Sequence, residues 1–365
     1  MKREVLYQID ALYRDDFRIT GFSFGEGEKA LCIVGAMRGN ENQQLYCCAR
    51  LVNRLTALEA AGRLQPGYKI LVIPCVNPYS MNIRKRFWPI DNTDINRMFP
   101  GYDQGETTQR IAAALFNVVK EYRYGIQFAS FYMPGSFVPH VRMMKTGYEN
   151  VPLAMDFGLP YVVRHRPRPF DTATLNYNWQ IWETQAFSLY TTNTARVDKL
   201  SARQAEEAIL NFMSKRGLLQ YQGSGGYVSR EIDSADFLSL RAECSGFLDT
   251  RVQAGERVSR GQLLAQIQDA YTGEPLQDIV SPDAATVFFV GDDAMTFQRT
   301  AVFKLVREEA YPLFPPQKQA GGRSLSGAVR FLYGRYSAFS PGALCCSPSS
   351  CSFWAAAMAS KRLFR

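Results

Sequence analysis

KILVIPCVNPYSMNIRKRFWPIDNTDINRMFPG, residues 69–101, decides the fold. It opens with Lys69-Ile70-Leu71-Val72-Ile73, a short apolar run of the kind a strand buried on both faces requires. A loop then carries Asn77-Pro78, Arg86 and Asp94-Ile95-Asn96-Arg97-Met98-Phe99-Pro100-Gly101. Similar apolar runs lie on either side, at 31–35 (LCIVG), 125–129 (GIQFA), 161–163 (YVV) and 186–190 (AFSLY). Helical spacing separates them. Residues 43–62 repeat apolar positions three and four apart at Leu45, Cys48, Val52, Leu55 and Leu58. Residues 107–120 do the same with Ile111, Leu115, Val118 and Val119. A further helix is expected from a capping box of Ser201 and Gln204, with Ile209, Leu210 and Met213 buried and Gly217 closing its end. Strands alternating with helices predict an α/β domain over residues 1–222, with a mixed, mostly parallel central sheet flanked by helices.

Near Gly223 the pattern changes. From Tyr227 to Val306 short strand-like pieces are broken by turns such as Val252-Gln253-Ala254-Gly255 and Tyr271-Thr272-Gly273, which predicts a small all-β, barrel-like domain over 223–310. FLDTRVQAGERVSRGQLLAQIQD resembles the hairpins of lipoyl- and biotinyl-type domains. No lysine lies between Lys215 and Lys304, so a carrier role is not expected. Residues 311–365 are basic and contain Pro, Ser and Cys without helical or strand period, and are expected to be disordered.

The formal charge of +8 comes from that tail. Lys318, Arg323, Arg330, Arg335, Lys361, Arg362 and Arg365 face no acid there, and without them 35 of the 42 cations stand against 34 acids. A near-neutral body with no basic stripe argues against nucleic acid as a partner. The first twenty residues have no apolar core of a signal peptide, and no run of about 18 apolar residues suggests a membrane span. The eight cysteines include no Cys-x-x-Cys, so they read as free thiols of a cytoplasmic protein.

The loop after Ile73 carries a resemblance. Asn77-Pro78, Arg86 and Asp94-Ile95-Asn96-Arg97-Met98-Phe99-Pro100-Gly101 occur in the order found in the succinylglutamate desuccinylase/aspartoacylase family of zinc-dependent, carboxypeptidase-like deacylases. The likeness extends over roughly residues 30–310, through the helix at 107–120, the Ser201 helix and the Gly255, Val258, Gly261, Leu264 rhythm. It implies that Asn96 and Arg97 hold a substrate carboxylate and that Arg86 stabilises an oxyanion. The residue type suits the task, because a guanidinium is a planar, permanently charged fork that matches a carboxylate. The alternative is an internal ion pair of that turn with Asp94.

The same resemblance implies a zinc site of His, Glu and His with a glutamate as general base. The matching stretches are present with other residues. The first reads Ala36-Met37-Arg38-Gly39-Asn40-Glu41, so Arg38 stands at a histidine position and Glu41 alone is kept. The second reads Gly125-Ile126-Gln127, with Gln127 at the other histidine position. In Ala186-Phe187-Ser188-Leu189-Tyr190, Tyr190 stands at the position of the base. A guanidinium has no lone pair for a metal, and a phenol of pKa about 10 is a weak base at neutral pH. No cofactor is therefore expected, where the family uses zinc. Arg38 is expected to pair with Glu41. The two histidines, His140 and His165, are not expected to replace the lost ligands; a rebuilt site would need His140, Glu41 and another carboxylate such as Glu183. Trp179 and Trp182 either line a pocket or pack over the sheet, and the 164–170 run (RHRPRPF) reads as a solvated loop or a cover over the pocket mouth.

Three functional readings follow. The chain is a catalytically degenerate member that binds a small carboxylate such as an N-acyl amino acid or peptide; a hydrolase with a non-standard metal site or metal-free mechanism; or a non-enzymatic scaffold. Whether it is an enzyme, its ligand and its oligomeric state are left open by the sequence.

Overall fold

The computed structural model describes residues 1–131, 133–223 and 225–308. The tail over 311–365 lies outside the described residues. An N-terminal hairpin pairs β1 (Lys2–Ile9) with β2 (Phe17–Phe24). β3 (Glu28–Ala36), β4 (Tyr68–Cys75) and β5 (Tyr124–Phe128) are the runs expected near residues 31, 69 and 125. A short strand, β6 (Gly135–Phe137), stands outside the main sheet. β7 (His140–Met144), β8 (Tyr161–His165), β9 (Gln185–Tyr190) and β10 (Arg230–Asp233) complete a nine-stranded sheet of order β1-β2-β4-β3-β5-β9-β7-β8-β10. Five of its pairings are parallel; β1–β2, β2–β4 and β7–β9 are antiparallel.

Alternation along the strands sends neighbouring residues to opposite faces. Leu31 and Ile33 of β3 and Ile70 and Val72 of β4 face a core with α1 (Asn42–Ala60), through Cys47, Cys48, Leu51 and Leu55. Two further helices are short, α2 (Pro78–Asn82) in the loop after β4 and α4 (Val151–Met155) before β8. Cys32, Val34, Leu71 and Ile73 face the other side, against α3 (Thr107–Val119) and α5 (Leu175–Ile181). α6 (Lys199–Lys215) joins the α1 side through Ile209, Leu210, Phe212 and Met213. Trp179 of α5 is fully buried, stacked over Gly125, with Nε1–H donating to Val119 O at 3.1 Å. Trp182 is half exposed and edge-on to Phe116. Trp179 therefore packs on the sheet and Trp182 on α3.

The α6 start corrects the expected capping box. The helix begins three residues earlier, and Asp198 Oδ1 accepts from Leu200 N at 2.9 Å and Ser201 N at 3.1 Å. Ser201 is thus already inside the first turn, and its hydroxyl oxygen accepts from Thr192 N instead. A carboxylate is also the better cap, because it meets the positive end of the helix. Asp198→Ala should cost about 1 kcal/mol in chemical denaturation; Ser201→Ala costing more would contradict this assignment. Gly217, with φ of +70°, closes the helix as expected.

The remaining strands form two antiparallel sheets. β11 (Leu238–Arg241), β12 (Gly246–Thr250), β13 (Arg257–Val258), β14 (Leu263–Gln268), β15 (Pro275–Val280), β16 (Ala285–Gly291), β17 (Met295–Thr296) and β18 (Ala301–Arg307) are ordered β11-β18-β16-β13 in one and β15-β14-β12-β17 in the other. Leu264, Ala265 and Ile267 from one sheet share a core with Val287, Phe303 and Leu305 from the other. The two lobes interlock. β10, which follows residue 222, extends the main sheet beside β8, and β6 pairs with β16. Among the described residues, 1–308 belong to one compact unit. Among the described residues no helix is long and apolar enough to cross a membrane. Cys32, Cys47, Cys48, Cys75 and Cys244 are free thiols.

Candidate functional site

The parallel strands β3, β5 and β9 end on one side of the sheet, where open α/β folds bind ligands. Their ends deliver Arg38, Gln127 and Tyr190 to one cavity of about 210 Å³. Strand register makes its floor. Gln127 on β5 lies beside Ser188 on β9, which lies beside Arg142 on β7; Tyr190 lies beside His140. Alternation then keeps Gln127, Ser188, Tyr190, His140 and Arg142 on one face. Arg86, Asn96 and Arg97 reach the same cavity from the loop after β4, and Lys304 and Phe288 reach it from the C-terminal sheets.

Arg38 and Glu41 are 5% and 1% exposed. The expected pair is present, with Arg38 Nη1 donating to Glu41 Oε1 at 3.0 Å. Ser130 Oγ donates to the same oxygen, and the backbone N–H groups of Met37 and Arg38 donate to Oε2 at 2.8 and 3.1 Å. Asp94, 56 residues away, takes the rest of the guanidinium: Nε at 3.1 Å and Nη2 at 2.9 Å. Burial works to discharge Arg38, but the two carboxylates outweigh it and hold its pKa above the ordinary arginine value. The internal pair weighed for the Asp94–Arg97 turn therefore forms with Arg38, and Arg97 is left over.

Among the described residues Arg97 has no carboxylate partner; its guanidinium lies 5.4 Å from the Phe170 ring. Arg86 likewise has none and lies 5.5 Å from the Phe87 ring. Burial, and then the charge of Arg38, lower the Arg86 pKa from its ordinary value. Asn96 Oδ1 accepts from Leu175 N at 3.2 Å and so fixes the start of α5. Its Nδ2 takes no partner among the described residues. A 3-10 turn over Ile95–Arg97, capped by Asp94 Oδ1 accepting from Asn96 N at 3.0 Å, holds these two residues at the wall.

The histidines are engaged or enclosed. His140 is fully buried, stacked 4.7 Å from Tyr190, and its Nδ1–H donates to Val138 O at 2.8 Å. Nε2 is then a bare lone pair without a partner. Burial drives the ring's pKa down to about 3, so it is neutral at physiological pH. His165 contacts Ser234 Oγ at 3.1 Å and Asp171 Oδ2 at 3.2 Å, and burial outweighs that carboxylate and lowers its pKa. Glu183 is exposed, at the far end of β9 from Tyr190. His140, Glu41 and Glu183 are not brought together, and among the described residues no three His, Cys, Asp or Glu side chains are grouped to hold a metal ion.

Of the two readings of the 164–170 run, a solvated loop or a cover over the pocket mouth, the structure agrees with the second: His165, Arg168 and Phe170 line the cavity. The sequence reading missed other wall residues. Arg142 donates to Tyr190 OH at 3.4 Å. Asn176 on α5 is buried with neither its Nδ2 nor its Oδ1 partnered. No motif marked Arg142 or Asn176, whose places at the wall follow from tertiary packing.

A mixed α/β sheet whose strand ends open on an arginine-lined cavity, followed by antiparallel β-sheets, is the architecture of the solved succinylglutamate desuccinylase/aspartoacylase structures. The chain belongs to the succinylglutamate desuccinylase/aspartoacylase family: the model of its catalytic domain matches residues 27–216. A curated relative, the N-alpha-acetyl-L-2,4-diaminobutyric acid deacetylase of Halomonas elongata, is 24% identical over 268 residues, 69% of this chain and 73% of the relative. Among solved structures, a succinylglutamate desuccinylase from Silicibacter sp. TM1040 superposes with a TM-score of 0.69 at 20% identity, covering 83% of this chain and 92% of that one. The ectoine utilization protein EutE (DoeB) of Ruegeria pomeroyi gives 0.67 at 18%, covering 80% and 90%. These structures share the fold.

Proposed function

We propose that this chain binds a small carboxylate-bearing ligand of the acyl-amino-acid type and does not hydrolyse it by the zinc mechanism of its family. One observation carries the reading: both oxygens of Glu41 are already occupied, by Arg38 Nη1, Ser130 Oγ and two backbone N–H groups. A carboxylate offers about four lone-pair sites, so none is left for a dication, and one of the two side chains bound to it is itself a cation. These residues do not fit zinc. Without it nothing lowers the pKa of a bound water from about 15.7 towards 7. Arg97, Arg86 and Asn96 Nδ2 remain open as a carboxylate clamp, and the unpartnered amide of Asn176 matches an acyl amide in donor and acceptor.

The test combines metal analysis with a thermal-shift screen of N-acyl amino acids. The expected result is substoichiometric zinc, a ligand-dependent rise in melting temperature, and roughly a 10–100-fold affinity loss in Arg97→Ala, the loss typical of one charged hydrogen-bonding partner. Stoichiometric zinc that disappears in Glu41→Ala, or ligand shifts indifferent to Arg97→Ala, would overturn the reading.

A further inference from the structure

Three more cations reach the cavity than a carboxylate clamp uses. Arg142 comes from β7, Arg168 from the segment after β8, and Lys304 from β18. Among the described residues none has a carboxylate partner. Arg142 and Lys304 both lie 5.9 Å from the Phe131 ring, and Lys304 is 5.8 Å from Phe237. Arg168 and Arg97 share the Phe170 ring, at 5.8 and 5.4 Å, so the ring adjoins both this group and the clamp. Asp171 is the acid on this side of the cavity and is taken by His165 and by Arg168 N.

Charge counting sets the ligand class. Arg38 with Glu41 and Asp94 leaves one negative charge, and Asp171 adds another. Against these stand Arg86, Arg97, Arg142, Arg168 and Lys304, so the wall carries three uncompensated positive charges. A single carboxylate neutralises one. Two guanidiniums and an ammonium suit a tetrahedral oxyanion with three acceptor oxygens.

We propose that Arg142, Arg168 and Lys304 form a second anion subsite that takes a dianionic phosphate-monoester group, on a ligand whose carboxylate sits on Arg97 and Arg86. The inference rests on the carboxylate clamp described above for the position of the ligand's other end. The relative's named substrate carries an amine in its side chain, and this wall repels an amine. Lys304 adds a proton-linked element. Its neighbours Arg142, Arg168 and Arg241 are all cations, and burial followed by their repulsion lowers its pKa to about 8. His140 and His165 are neutral near that pH, and Asp171 is held below the ordinary range by its hydrogen bonds despite burial. Binding a dianion restores the ammonium, so the complex takes up a proton.

The experiment is calorimetry on the full chain with 3-phosphoglycerate, succinate, N-acetylglycine and inorganic phosphate, at pH 8 in two buffers of different ionisation enthalpy. The expected result is 3-phosphoglycerate binding at least 10-fold tighter than succinate, with proton uptake. Arg142→Ala and Lys304→Met, checked for folding by circular dichroism, should each remove that preference while N-acetylglycine binding persists. Equal affinity for succinate and 3-phosphoglycerate, or a preference that survives both substitutions, overturns the subsite. Such a result alongside Arg97-dependent N-acetylglycine binding leaves the clamp standing. Phosphate-ligand binding lost in Arg142→Ala yet untouched by Arg97→Ala keeps the subsite and removes the clamp.

Discussion

Arg38→Met should lower folding stability by about 3–5 kcal/mol, the cost of removing one partner from a buried ion pair. Arg38 lies between Glu41 and Asp94, is 5% exposed, and donates to both. Methionine keeps an unbranched apolar stem but leaves two carboxylates facing each other without a cation. The effect also spreads: Asp94 caps the turn that carries Asn96 and Arg97, so a displaced Asp94 disorders the carboxylate clamp. Neutralising the partners separates charge from packing. Arg38→Met combined with Glu41→Gln and Asp94→Asn should recover most of the loss, because a buried ion cluster replaced as a whole is often close to neutral. Chemical denaturation of the single and triple variants measures this. A single variant within 1 kcal/mol of the parent would mean that Arg38 does not compensate the carboxylates.

Lys304→Met should have the opposite sign, stabilising the protein by about 2–3 kcal/mol at pH 7. The folded pKa of about 8 lies below the ordinary 10.5, and each pH unit is worth about 1.4 kcal/mol before discounting for residual solvent. The sign follows from proton counting. Between pH 8 and 10.5 the unfolded chain binds a proton that the folded chain has lost, so stability rises with pH across that window. Below pH 8 the folded parent holds the buried ammonium in its charged form and carries the full penalty, which the methionine variant lacks. The advantage of the methionine variant should therefore be constant up to about pH 7, shrink above pH 8 and vanish near 10.5. A stability gain that does not depend on pH would assign the effect to packing. If Lys304 holds an anion, the variant is more stable and binds worse, a common exchange at functional sites.

Much of this was legible because the signals were local. Each apolar run at residues 31, 69, 125, 161 and 186 became a strand, since a run buried on both faces has few other places to go. Arg38, Glu41, Arg86, Asn96, Arg97, Gln127 and Tyr190 lie within motifs, so their positions could be compared one by one; the structure brings all of them except Glu41 to the cavity wall itself. The β1–β2 hairpin was missed although the buried positions of FRITGFSF alternate, because its charged partner strand hides the pattern. β7 was missed because HVRMM mixes a buried histidine and a cavity-facing arginine into a strand. The Arg38–Asp94 contact and the meeting of Arg142 with Lys304 could not be read at all: sequence separation carries no distance, and tertiary packing alone makes these neighbours.

The edge pairing of β6 with β16, and of β10 with β8, has a bearing on ligand entry. A clamshell opening would have to tear the β6–β16 backbone ladder. The lobes are in effect sewn together, so the floor supplied by β7 and β9 and the roof supplied by β18 keep a fixed spacing. Admission then falls to whatever side chains guard the rim, Arg168 and Phe170 among them, swinging on a rigid frame.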